Sequence, residues 1–197
     1  MRVIYLDNHL FAACKPAGMV TQGAFDILAK QWLKSELNKP GAVFLEPVHR
    51  IDKCTGGLVL FARTSKALSR LHAMMRAHEI QKTYLACVEK CPPEQEGTLE
   101  HYLVHDRLRA RVVSPSQRGA KRALLSYRVL LRPHLLEILL HTGRYHQIRA
   151  QLAAIGCPVC GDTAYGGQAR AGGSIALFAA QMALTHPVTH EELVLTA

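Results

Sequence analysis

Residues 48–64, VHRIDKCTGGLVLFART, set His49, Arg50 and Asp52 just ahead of two glycines and an apolar run. A carboxylate among cations at the mouth of a buried strand has two readings. It is a polar turn closed by an ordinary Asp–Arg contact, or a loop whose acid does chemistry where glycines let another backbone come close. The six cysteines, at 14, 54, 87, 91, 157 and 160, are the other reactive groups. Cys157-Pro-Val-Cys160 is a CxxC that Cys87 and Cys91 would have to complete to hold zinc. Cys87, however, lies inside the strand-like TYLACVE, and its spacing to Cys91 does not match the usual knuckle. Free thiols in a reducing compartment, and no metal, are expected. The dense carboxylate cluster that a metal-dependent nuclease needs is not visible either.

Charge narrows the partner. The chain has 197 residues and a net charge of +9, and its pI is near 9.5, so it attracts polyanions, nucleic acid first among them. The cations cluster. From His105 to Arg132, the residues Arg107, Arg109, Arg111, Arg118, Lys121, Arg122, Arg128 and Arg132 stand against the single acid Asp106. Arg107, Arg109, Arg111, Lys121 and Arg122 are the expected phosphate-tracking surface, since each phosphate neutralised releases counterions. No apolar stretch is long enough for a bilayer, and MRVIYLDNHLF lacks the apolar core of a signal peptide, so a cytoplasmic protein is expected.

The elements that must position these groups follow from periodicity. VIYLDNHLFAACKPAGMV reads as two strands around a turn at Asp7-Asn8, the second ended by Pro16-Ala17-Gly18. AFDILAKQWLKSEL carries apolar residues at 25, 28, 32 and 37 and predicts an amphipathic helix closed by Asn38, Pro40 and Gly41. GLVLFA predicts a central strand covered on both faces. Thr64 or Ser65 then caps the helix KALSRLHAMMRAH, with Leu68, Leu71 and Met75 on one side. KTYLACVE is a strand and CPPEQEG a surface loop; LLSYRVLL and LLEILLH form a hairpin through Arg132-Pro133-His134. HQIRAQLAAIG is a helix with Ile148, Leu152 and Ile155 inward and Gly156 just past its end. The sum is an α+β fold, a mixed and largely antiparallel sheet flanked by helices, in one domain over 1–197.

HRIDKCTGGLVLFART resembles the catalytic stretch of RNA pseudouridine synthases of the RluA type, the large-subunit and transfer-RNA branch, where His-Arg-Leu-Asp precedes Thr-Ser-Gly and an apolar strand. GRYHQIRAQLAAIGCPVCGDTAYGG is similar to the family's Gly-Arg-Thr-His-Gln-Ile-Arg helix and the Gly-Asp…Tyr-Gly loop after it. DNHLFAACKPAGMV, QKTYLACVEK and LTHPVTHEEL resemble its opening turn with Lys-Pro-Ala-Gly, its Lys-x-Tyr strand and its closing His-Pro-Val-Thr. Five blocks in the family's order span nearly the whole chain. Departures are Gly56 in place of Ser, Tyr145 in place of Thr or Ser, and Phe178 where His is common. The separate N-terminal RNA-binding domain of some relatives does not precede these blocks, so RNA recognition is expected from the catalytic domain itself.

The resemblance implies an isomerase that needs no cofactor, because moving a base from nitrogen to carbon attachment involves no net redox change. Asp52 is implied as the essential carboxylate, acting either as nucleophile or as base in a glycal-forming elimination. Arg149 is implied as its charge partner, with a planar fork suited to two oxygens at once. Tyr84 offers a ring to stack on uracil and a hydroxyl to relay a proton. Arg50 is placed to fill the space left by a flipped base, a step that costs a few kcal/mol. His49 shapes the loop. The expected partner is transfer or ribosomal RNA, met by a monomer with no obligate protein partner. The alternative is an RNA-binding or chaperone-like module with the same fold and little turnover.

Overall fold

A computed structural model describes residues 1–38, 40–131, 134–170 and 172–197. The proposed turn residues Arg132 and Pro133, and with them the last cation of the basic run, lie outside the described residues. In chain order the elements are β1 (Arg2–Leu6), β2 (Leu10–Lys15), α1 (Asp26–Glu36), β3 (Glu46–Pro47), β4 (Gly56–Ala62), α2 (Ser65–Arg76), β5 (Gln81–Cys87), β6 (Glu96–Asp106), β7 (Arg109–Val113), β8 (Lys121–Leu131), β9 (Leu135–Leu140), α3 (Gln147–Ala154), β10 (Leu177–Thr185) and β11 (Glu192–Thr196). The chain folds into two compact units, Met1–Gln81 with Ala179–Ala197, and Lys82–Phe178.

In the first unit β2 lies between β1 and β4, antiparallel to both, with Leu10 opposite Ala62 and Lys15 opposite Gly57. All seven residues of β4 are buried, the expected outcome for a continuous apolar run covered on both faces. β10 pairs antiparallel with β11 in the register Gln181 to Thr196. Gly57 adopts φ 115°, and a Cβ there would fall 2.3 Å from the carbonyl oxygen of Ala179, so only glycine fits at the start of β4. Thr64 caps α2 by accepting the N–H of Ala67 at 3.1 Å, and Ala67 and Leu71 form the buried side of that helix.

α1 starts later and in a different phase than its pattern predicts. Gly23 at φ 87° breaks the turn Thr21–Phe25, and the Asp26 carboxylate accepts the N–H groups of Gly23 and Ile27, both at 2.8 Å. This turn rotates the helix so that Phe25, Asp26, Ala29 and Leu33 are buried, while Leu28 is left exposed.

The second unit orders its strands β5-β9-β8-β6-β7. β5 and β9, β9 and β8, β8 and β6, and β6 and β7 are all antiparallel neighbours. The β8–β9 hairpin matches the sequence pattern. The β6–β7 hairpin, by contrast, was visible there only as a run of charge. Leu103, Ala110 and Ala123 from these strands form a small core with Ala150 of α3, and Tyr165 packs against it. Gly156 at φ 74° ends α3.

Candidate active site

His49, Arg50 and Asp52 occupy the loop between β3 and β4 in the first unit, and backbone geometry fixes that loop from below. The Thr21 hydroxyl donates to the Ile51 carbonyl at 3.1 Å and accepts the Ile51 N–H at 3.2 Å. Gly18 N–H donates to the Lys53 carbonyl at 2.7 Å, and Thr55 N–H to the Asp52 carbonyl at 3.0 Å. His49 Nε2 accepts the N–H of Leu60 at 3.2 Å, so the imidazole ties the loop to β4. Asp52 is half-buried and Arg50 exposed.

Sequence reasoning passed over the residue beneath this loop. Lys15 is fully buried, and its ammonium donates to the carbonyls of Pro16 at 3.0 Å, Met19 at 2.7 Å and Lys53 at 3.5 Å. Burial pulls its pKa below the ordinary lysine value, while the nearby Cys54, Asp52 and Cys14 oppose that pull. A buried cation clamps the Lys-Pro-Ala-Gly turn to the carbonyl next to Asp52. The signal was present in the quoted block, but a lysine in an apolar strand end gives no hint of three carbonyl partners.

Tyr84 and Arg149 belong to the second unit. Tyr84 is buried on β5, opposite Ile138 of β9. Arg149, in the first turn of α3, is also buried. Its Nε and Nη2 donate to the two carboxylate oxygens of Asp162, at 2.6 and 2.8 Å. The reason is local. Asp162 sits in a loop folded tightly by Gly161 at φ 86° and by Gly167, where a Cβ would fall 2.3 Å from the Val159 carbonyl oxygen. That loop delivers the carboxylate to the start of the helix and leaves it 1 % exposed. The Tyr165 ring lies under the guanidinium, 4.9 Å from its centroid. Asp162 and Tyr165 come from the quoted Gly-Asp…Tyr-Gly block, yet only the folded loop reveals what they do.

The segment leading into α3 is equally tied down. Gln147 accepts from the Thr142 hydroxyl at 2.8 Å and from the Arg144 N–H at 2.9 Å, and its amide donates to the Leu124 carbonyl at 3.1 Å. One turn later the Gln151 amide donates to the carbonyls of Leu99 at 2.9 Å and Ala123 at 3.2 Å. Lys82 is desolvated by burial, which lowers its pKa.

The basic surface is less one-signed in space than along the chain. Arg107, Arg109, Arg111, Lys121 and Arg122 are all exposed on β6–β7 and β8. Neighbouring strands, however, supply acids. Arg122 forks onto Glu100 at 2.8 and 2.9 Å, Arg128 meets Glu137 at 2.8 Å, and Arg111 meets Asp106 at 3.0 Å. The hydrogen bond from Arg122 holds the Glu100 carboxyl below the usual carboxylate range. Such exposed pairs are readily exchanged for phosphate. Among the described residues, no group of three or more His, Cys, Asp or Glu side chains is arranged to hold a metal ion.

The sequence profile described as RNA pseudouridylate synthase matches residues 9–154. An uncharacterized RNA pseudouridine synthase of Bacillus subtilis is 32% identical over 99% of this chain and 67% of its own length. The ribosomal large subunit pseudouridine synthase C of Rickettsia bellii is 33% identical over 83% of this chain and 56% of its own length. A tRNA pseudouridine synthase C of Vibrio parahaemolyticus is 29% identical over the whole chain and 89% of its own length. The chain thus spans between about half and nine-tenths of these relatives. The fold also matches human RNA pseudouridylate synthase domain containing 4, with a TM-score of 0.85 at 23% identity over 100% of this chain and 87% of that one.

Proposed function

The chain belongs to the RNA pseudouridylate synthase family, and from that premise we propose that it converts specific uridines of structured RNA, transfer or ribosomal, to pseudouridine. In this isomerisation the N1–C1′ bond breaks and a C5–C1′ bond forms. N1 gains a proton and C5 loses one, so atoms and electrons balance within the nucleotide and no cofactor is called for. The observation that carries the reading is the family match through the whole Asp52 loop, with that acid in place on a rigidly held turn.

Asp52 is the proposed catalytic carboxylate. Tyr84 serves the uracil ring, Arg149 supplies positive charge from a side chain oriented by Asp162, and Arg50 takes the place of the flipped base. His49 holds the loop. Arg107, Arg109, Arg111, Lys121 and Arg122 carry the RNA backbone, exchanging their surface acids for phosphates. The same reading takes residues 1–197 as one catalytic domain, acting in the cytoplasm as a monomer without an obligate protein partner.

The test is carbodiimide-stop mapping of RNA from cells lacking this protein, before and after incubation with the purified chain. New stops at discrete uridines are expected. An RNA that binds but acquires no stop points instead to a binding module without turnover.

A further inference from the structure

We propose that His105, backed by Tyr145, is a stacking platform for an unpaired nucleobase of the RNA, a contact that rests on the RNA-modifying reading above and adds a base-recognition site to it. Three rings make the platform. Tyr145 lies 3.8 Å from His146, centroid to centroid, at an interplanar angle of 18°, and 4.1 Å from His105 at 41°. Two rings at such distances cannot share one face of a tyrosine, so the histidines cover opposite faces. His105 is therefore the outer end of a short π-stack, and it is exposed. A base has a π-face of the same kind and continues such a stack irrespective of its sequence.

The rings are held ready rather than left to rotate. His105 Nε2 donates to the Arg107 carbonyl at 2.8 Å, which fixes the outer ring. Tyr145 donates to the Leu108 carbonyl at 3.4 Å. His146 Nδ1 and the Tyr165 hydroxyl share a hydrogen bond at 3.0 Å, and the same hydroxyl accepts the Ala110 N–H at 2.7 Å. Arg107 and His146 both sit at φ 50°, the left-handed conformation taken by Arg107 in the two-residue β6–β7 turn and by His146 at the entry to α3, so the carbonyl that fixes His105 and the His146 ring both hang from defined backbone positions.

The surroundings identify the ligand. Arg107 stands in the turn next to the stack, while Arg109 and Arg111 flank Ala110 on the neighbouring strand and face the other side of the ribbon, where Arg111 meets Asp106. A ring surface for the base beside cations for the backbone is the pairing that single-stranded nucleic acid requires. Tyr145 is also the position where this chain departs from the Thr or Ser of the motif it resembles, so the platform belongs to this chain's own residues.

The platform separates from simple electrostatics in one binding experiment. Short fluorescein-labelled oligoadenylate and the same chain carrying abasic riboses are titrated with wild type, His105→Ala, Tyr145→Thr and Tyr145→Phe. Wild type should bind the oligoadenylate more tightly than the abasic chain. His105→Ala and Tyr145→Thr should each lose about tenfold on oligoadenylate and nothing on the abasic RNA, with an unchanged slope of log affinity against log salt. Tyr145→Phe keeps the ring and should bind like wild type, which excludes misfolding of the hairpin as the cause. Equal losses on both RNAs, or no loss on either, overturn the platform. Turnover is not read in this assay, so base-dependent binding without pseudouridine formation would sink the function and leave the platform standing.

Discussion

Two carboxylates, Asp52 and Asp162, sit on tight glycine-flanked turns, yet the chain treats them differently. Asp162 is 1 % exposed, gripped by two bonds from Arg149 and enclosed by a loop that Gly161 and Gly167 permit. Asp52 is half-buried, and its loop is secured through main-chain atoms by Lys15, Thr21 and Gly18. One acid is itself the lock. The other has its backbone locked and its side chain only half-buried. The two acids therefore differ in exposure and in what fixes their backbone.

Ranked by effect on stability, the sharpest way to break this contrast is Asp162→Ala. It leaves the Arg149 charge buried without its carboxylate and should lower the unfolding free energy by about 3–5 kcal/mol, read from urea denaturation. A loss near zero would mean that Asp162 is not the lock. Arg149→Lys keeps a cation but not the fork, and should cost about 2 kcal/mol, the order of one charged hydrogen bond. Recovery of full stability and full turnover by that variant would reduce position 149 to a plain charge.

Lys15→Met tests the other side. Loss of the clamp should cost about 1–2 kcal/mol and should reduce turnover more than RNA affinity, since it loosens the turn that carries Asp52. It has a pH signature as well. Burial lowers the Lys15 pKa below 10.5, so between the folded value and 10.5 the unfolded chain binds more protons. Lys15 therefore makes stability rise with pH through that window, and the difference between wild type and Lys15→Met should carry that slope. The smallest effect on stability belongs to Arg109, Arg111 and Lys121 neutralised together, within about 0.5 kcal/mol for exposed sites. The triple variant should still reduce the salt slope of RNA binding by about 2. An unchanged slope would remove that segment from the RNA track.

These differences in role were unevenly legible in the sequence. β4 could be read because seven consecutive residues that favour burial leave no polar face, and all seven are buried. The phase of α1 could not, because Gly23 and the self-capping Asp26 displace its start, a conformational choice that apolar spacing does not encode. The β6–β7 hairpin was hidden by its arginines, whose exposed side chains mask the strand pattern beneath. Asp52, Tyr84 and Arg149 were singled out by residue type and motif order. The Arg149–Asp162 pairing was not, because it depends on how the loop after α3 brings Asp162, thirteen residues on, back to the start of that helix. Opposite charges along a chain reveal nothing about which pairs meet across strands, as Arg122 with Glu100 also shows.

Tritium release from RNA labelled at uridine C5, followed in a single turnover by wild type and Asp52→Asn, tests the central claim most directly. Rejoining through C5 expels that hydrogen, so wild type should release one tritium for each pseudouridine formed. Asp52→Asn should bind the same RNA with wild-type affinity, unfold at the same urea concentration and release none. Tritium release by the Asn variant at the wild-type rate would contradict the assignment of Asp52 as the reacting carboxylate.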